Sequence, residues 1–118
     1  MAKILIVDDD TETCDLLDIF LSGKGYQVLT ITSGESALDS IKSQKPDIVL
    51  LDIKLPGLDG IKCLDKIKEI DPKIKVIIIS AVNDPSYKQS AFSRGADDYI
   101  VKPLDLDYVE TCVLINSP

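Results

Sequence analysis

The sequence contains no histidine and only three cysteines, Cys14, Cys63 and Cys112, which lie far apart. Without a CxxC pair or a histidine partner these thiols do not compose a zinc site, and their odd number does not make a disulfide framework. They read as reduced structural thiols, the usual state of free cysteine in a core. Apolar runs reach only about five residues, against the ~20 needed to cross a bilayer, and no basic segment precedes a hydrophobic one, so a cytoplasmic location is expected. The net charge is -7 and no cluster of Lys or Arg offsets it. That balance repels a phosphate backbone, disfavours direct nucleic-acid binding and leaves proteins as the expected partners. No repeat, linker or low-complexity tract interrupts the chain.

What remains is a chain of 118 residues, enough for one domain (1–118) with a real core and too short for two. With 45% hydrophobic and 28% charged residues it has the composition of a globular protein. Short β-branched and Leu runs alternate with segments of helical period. Strands are predicted at Lys3 to Val7, Tyr26 to Ile31, Asp47 to Asp52, Lys75 to Ser80 and Asp98 to Lys102. Between them, Asp10 is placed to cap a helix carrying Leu16, Leu17, Phe20 and Leu21, which Gly23 and Gly25 end. Thr32 and Glu35 have the spacing of a capping box before Ala37, Leu38 and Ile41. Leu55 to Gly60 reads as a loop, followed by a helix with Ile61, Leu64, Ile67 and Lys68. Asp84 and Pro85 open a helix that Gly95 closes, and Asp105 opens a last helix whose end, Thr111 to Pro118, is poor helix material.

This alternation predicts an α/β fold, a (βα)5 doubly wound five-stranded parallel sheet with right-handed crossovers. In the strand order 2-1-3-4-5 the winding reverses between the first and third strands, and ligands bind at the carboxyl ends there. Asp8, Asp9 and Asp52 fall at that crevice, with Ser80 and Lys102 ending the fourth and fifth strands. Three carboxylates about 5 Å apart repel by roughly 3 kcal/mol per pair at an effective dielectric of 20, so they protonate, lean on Lys102 or hold a cation. Oxygen ligands without nitrogen or sulfur select a hard ion, and room for water and a phosphoryl oxygen suits Mg²⁺, with Mn²⁺ also fitting. Asp52, alone at its strand end, is the candidate nucleophile toward phosphorus. Lys102 would neutralise the transferred group and the Ser80 hydroxyl would donate to it.

In order and spacing, ILIVDDD, the IVLLD strand followed by LPGLDG, the IIISA strand and GADDYIVKP resemble the receiver domain of two-component response regulators, the CheY-like branch of flavodoxin-like folds. The resemblance runs the whole length of the chain. It implies that Asp52 takes a phosphoryl group from a phosphohistidine on a partner kinase or phosphotransfer protein, since this chain has no histidine of its own. It implies Mg²⁺ held by Asp9, Asp52 and the carbonyl of Lys54, with Asp8 acting through water, and a cis peptide between Lys102 and Pro103. It makes Ser80 and Tyr99 the switch that remodels the face of the fourth helix, fifth strand and fifth helix for a downstream protein or output domain. Lys54 and Val82 stand where the family lines the route of attacking water. Such a domain catalyses only its own phosphorylation and dephosphorylation, as a monomer or a phosphorylation-dependent dimer.

Each of these residues has a plainer reading. Asp8 and Asp9 suit a solvated helix start, Asp10 suits a cap better than a ligand, and Ser80 alone suits a strand-end hydroxyl bonded to backbone. Tyr99 suits a half-buried strand aromatic, while Gly57 and Gly60 read as backbone devices. It is the joint placement of the acids with Lys102 that favours chemistry. Among rival classes, a haloacid dehalogenase-type phosphohydrolase would place its nucleophile on the first strand and leave Asp52 unexplained. An FMN carrier would need N–H donors where three aspartates stand. A pseudo-receiver that binds without phosphorylation would lack a site residue, and here all five are present.

Overall fold

The computed structural model describes residues 2–55, 58–81 and 83–118, with the backbone alone for Lys54, Leu55, Leu58 and Asp59. Among the described residues seven strands and five helices follow in the order β1 (Lys3–Val7), α1 (Thr11–Gly23), β2 (Gln27–Ile31), α2 (Gly34–Gln44), β3 (Ile48–Asp52), β4 (Lys54–Leu55), β5 (Leu58–Asp59), α3 (Gly60–Ile70), β6 (Lys75–Ser80), α4 (Pro85–Ser93), β7 (Asp98–Val101) and α5 (Leu106–Asn116). The five longer strands form one parallel sheet in the order β2-β1-β3-β6-β7, the 2-1-3-4-5 winding expected for the fold.

The continuous apolar runs follow from burial on both faces of this sheet. Side chains alternate along each strand, so Ile4, Ile6, Ile48, Leu50, Ile77 and Ile79 pack on one side with Leu17 and Leu21 of α1 and Val109 and Val113 of α5. Leu5, Val7, Val49, Leu51, Val76 and Ile78 point the other way, into Ala37 and Ile41 of α2, Leu64 and Ile67 of α3 and Ala91 of α4.

Helix starts are set by short polar side chains. The Asp10 carboxylate accepts from the Glu12 N–H, Asp84 from Ser86, and Asp105 from Asp107 and Tyr108. At α2 the cap is Ser33, accepting from Ser36, and not the Thr32–Glu35 pair that the spacing predicts. Gly25 and Gly95, at φ of 95° and 101°, turn the chain after α1 and α4.

Three further points differ from expectation. Within the predicted loop, β4 and β5 pair antiparallel, Lys54 with Asp59 and Leu55 with Leu58. Leu16 lies on the outer side of α1, 49% exposed. The last helix continues to Asn116 despite its weak composition, because Val109, Cys112 and Val113 are buried and the Asn116 and Ser117 side chains donate back to the carbonyls of Cys112 and Val113 at 2.8 and 2.6 Å.

Candidate functional site

The carboxyl ends of β1, β3, β6 and β7 converge on one edge. Asp8 and Asp9 follow β1 directly, Asp52 is the last residue of β3, Ser80 the last of β6, and Lys102 the first residue beyond β7. The backbone registers fix this placement: Val7 pairs with Leu51, Asp52 with Ile79, and Ser80 with Val101. Lys102 is tied in by its own N–H, which donates to the Ser80 carbonyl at 2.8 Å.

Carboxylate oxygens of Asp8, Asp9 and Asp52 all lie within 4.8 Å of one another. Asp8 and Asp52 are buried and Asp9 is exposed, so the group opens to solvent on one side. The Lys102 Nζ bridges the two buried acids, 3.2 Å from Asp8 Oδ2 and 3.3 Å from Asp52 Oδ2. Asp8 Oδ1 accepts the Asp10 N–H at 2.9 Å.

The electrostatics reflect one cation shared among several anions. Burial, with the neighbouring Asp52 charge, pushes the Asp8 carboxyl above its ordinary value even though the Asp10 N–H and Lys102 pull it down. Partial burial would lower the Lys102 ammonium, but the Asp8 and Asp52 carboxylates outweigh it and hold the ammonium above its usual value. A lysine so held stays charged and cannot satisfy all three acids. An all-oxygen set of this kind, open on one side, fits a hard divalent cation with water and phosphoryl oxygen completing its shell.

Below this edge the backbone is held closely. The Ile53 N–H donates to the Ile79 carbonyl at 3.3 Å, and the Ile53 carbonyl accepts the Gly60 N–H at 3.1 Å. A Cβ on Gly60 would overlap the Cα and carbonyl of Ile53, so only glycine lets the start of α3 lie this close to the Ile53 backbone, next to Asp52 in the chain. The Cys14 thiol donates to the Asp8 carbonyl at 3.3 Å.

Ser80 and Tyr99 are buried, and the Lys88 Nζ lies 5.6 Å from the Tyr99 ring centroid. The Lys102–Pro103 peptide is cis. The Lys54 side chain and Val82 lie outside the described residues. A hollow of about 350 Å³ bordered by Lys45, Asp47 and Lys75 sits at the amino ends of β3 and β6, the opposite edge from the acids. The tight return at Gly60, the Cys14 contact and Lys88 over Tyr99 carry no local sequence signal beyond the glycine itself.

A doubly wound α/β domain with three acids and one lysine gathered at the carboxyl edge belongs to the phosphoryl-handling class of this fold. Residues 4–113 match the model of the response regulator receiver domain, and the chain belongs to that family. It is 40% identical over 111 residues to sporulation initiation phosphotransferase F of Bacillus subtilis, covering 94% of this chain and 90% of that protein. It is also 40% identical over 107 residues to the transcriptional regulatory protein ZraR of Escherichia coli K12, covering 91% of this chain but 24% of that protein. The chain thus spans about a quarter of ZraR and nearly all of the Bacillus protein.

Among solved structures, a two-component response regulator from Clostridium difficile superposes with a TM-score of 0.94 at 31% identity, covering 98% of this chain and 95% of that one. A chain of the CheX-CheY-BeF3-Mg complex from Borrelia burgdorferi superposes with a TM-score of 0.92 at 37% identity, covering 97% and 87%. Domains of this family work as phosphorylation switches in two-component signalling, partnered by histidine kinases or phosphotransfer proteins. Among the described residues no helix is long and apolar enough to cross a membrane.

Proposed function

We propose that this domain accepts a phosphoryl group on Asp52 from a phosphohistidine of a partner kinase or phosphotransfer protein, and that the modification changes its protein-binding face. The observation that carries the reading is the Lys102 ammonium, bridging Asp8 and Asp52 within a cluster of three carboxylates. Asp8, Asp9 and Asp52, with the carbonyl of Lys54, would hold Mg²⁺ or Mn²⁺. When bound, that ion neutralises charge on the phosphoryl oxygens.

The chain's own residues do the rest. Asp52 presents a carboxylate oxygen to phosphorus. Lys102 pairs with the negative charge added there, and Ser80 donates its hydroxyl to a phosphoryl oxygen. Asp8 has both oxygens engaged, by Asp10 N–H and by Lys102, which leaves it better suited to holding charge than to attack. Ser80 and Tyr99 transmit the change as a two-state equilibrium biased by the phosphoryl group. Residues 1–118 act as one receiver domain, in the cytoplasm, with no turnover of an external substrate. A downstream protein or an attached output domain reads the altered face, and the domain acts as a monomer or a phosphorylation-dependent dimer.

Incubation with acetyl phosphate and Mg²⁺ tests this. The expected product is an acid-stable, base-labile mass gain located at Asp52. A folded protein that gains no such adduct would instead be a pseudo-receiver, and turnover of a small phosphate monoester would favour a phosphohydrolase. Ser80→Ala is expected to weaken the conformational response more than the phosphorylation, and equal loss of both counts against Ser80 as the switch hydroxyl.

A further inference from the structure

Tyr99 lies in β7, paired with Ile78 of β6, and its ring is turned into the protein with 6% of the residue exposed. The Lys88 ammonium stands within cation–π range of it, 5.6 Å from the ring centroid. Lys88 is itself half-buried, on the first turns of α4, where its N–H donates to the Asp84 carbonyl at 3.1 Å. Among the described residues no carboxylate forms an ion pair with Lys88, and the ring face is the group its charge meets.

We infer that Lys88 is a positioning residue that holds the Tyr99 ring inward before any phosphoryl group arrives. The inference rests on the proposed function, in which Tyr99 follows the state of the Asp52 edge. A cation over an aromatic face at a half-exposed site favours the arrangement that keeps it by about two- to fivefold. A ligand that requires the inward ring binds with a dissociation constant divided by the inward fraction, so a ring already held inward exacts little from that ligand. The Lys88 charge therefore sets how readily the switch face responds to phosphorylation, without touching the phosphoryl group.

Lys88→Met keeps the apolar stem and removes the charge; Lys88→Arg keeps a cation for the ring. Each is made in the full chain with the tyrosine rings isotopically labelled and Tyr99 assigned by Tyr99→Phe. Two readouts are taken: the Tyr99 ring resonance in the unmodified protein, and the affinity for beryllofluoride in the presence of Mg²⁺. Lys88→Met should move the ring resonance toward its solvent-exposed position and weaken beryllofluoride binding in proportion to the inward fraction lost, by at most about fivefold, while Lys88→Arg retains both. An unmoved ring in Lys88→Met, a ring that moves with no change in affinity, or failure of arginine to preserve both would overturn the inference. Absence of beryllofluoride binding by the unsubstituted protein would instead sink the Asp52 reading, with the ring resonance alone then judging Lys88.

Discussion

Lys102→Met isolates the electrostatic part of the site, because methionine keeps most of the apolar stem and discards the charge. Each pair at 3.2 and 3.3 Å amounts to about 5 kcal/mol of attraction at an effective dielectric of 20. The loss on substitution is smaller than the sum, since a carboxyl deprived of its cation takes up a proton. Protonating a carboxyl of ordinary pKa near 4 at neutral pH costs about 4 kcal/mol. Asp8 already lies above that ordinary value, so its protonation costs less. A destabilisation of about 2–3 kcal/mol near neutral pH is therefore expected from urea unfolding without metal.

The pH dependence has a definite sign. In the variant the Asp8 pKa rises further, so the folded state binds more protons than the unfolded state between the ordinary value and the raised one. Stability relative to the unsubstituted protein is then lowest above the raised value and recovers as the pH falls toward about 4. Mg²⁺ supplies another cation to the same carboxylates and should narrow the gap at neutral pH. A deficit that stays constant as the pH falls from neutral to about 4, and that Mg²⁺ leaves untouched, would refute the tether and reduce Lys102 to the packing of its stem.

Gly60→Ala should cost about 2 kcal/mol, because the added methyl meets the Ile53 backbone and no flexible side chain can yield; a urea midpoint within error of the original would contradict the close return. The Cys14, Cys63 and Cys112 thiols, each pushed up to about 11 chiefly by burial, should resist Ellman's reagent in the folded protein and all react in urea. Rapid labelling of any one of them under native conditions would show that its burial is wrongly placed. Asp97 accepts from Lys68 Nζ and from the Val76 N–H, each at 2.9 Å, joining α3 to β6. Asp97→Ala should therefore destabilise the domain by about 2 kcal/mol in the same urea assay, and a neutral result would show that solvent replaces both bonds without loss.

How far the sequence reveals this molecule depends on whether a feature is local. Strand positions were legible because a parallel strand covered on both faces must be apolar throughout, as Ile48–Leu51 and Val76–Ile79 are, and the sheet order came with the doubly wound fold class that the alternation implies. The acids and Lys102 were legible for a related reason, since each is covalently adjacent to such a run and the fold carries all the strand ends to one edge. What stayed hidden depends on contacts between distant segments or on a choice between near-equivalents. Thr32 and Ser33 are neighbouring hydroxyls, and only geometry selects Ser33 as the cap. Two-residue strands have no periodicity to read, so the pairing of β4 with β5 was invisible. The last helix reads as weak because propensity is local, whereas the burial of Val109 and Val113 that sustains it is not. The same division separates carboxylates that are alike as residues. Position already separated Asp52, alone at its strand end, from Asp8, and the structure adds the Asp10 N–H on the Asp8 oxygen that does not face Lys102. That hydrogen bond, from the helix-capping residue two positions on, is a feature of the turn and not of the residue type, and no local pattern announces it.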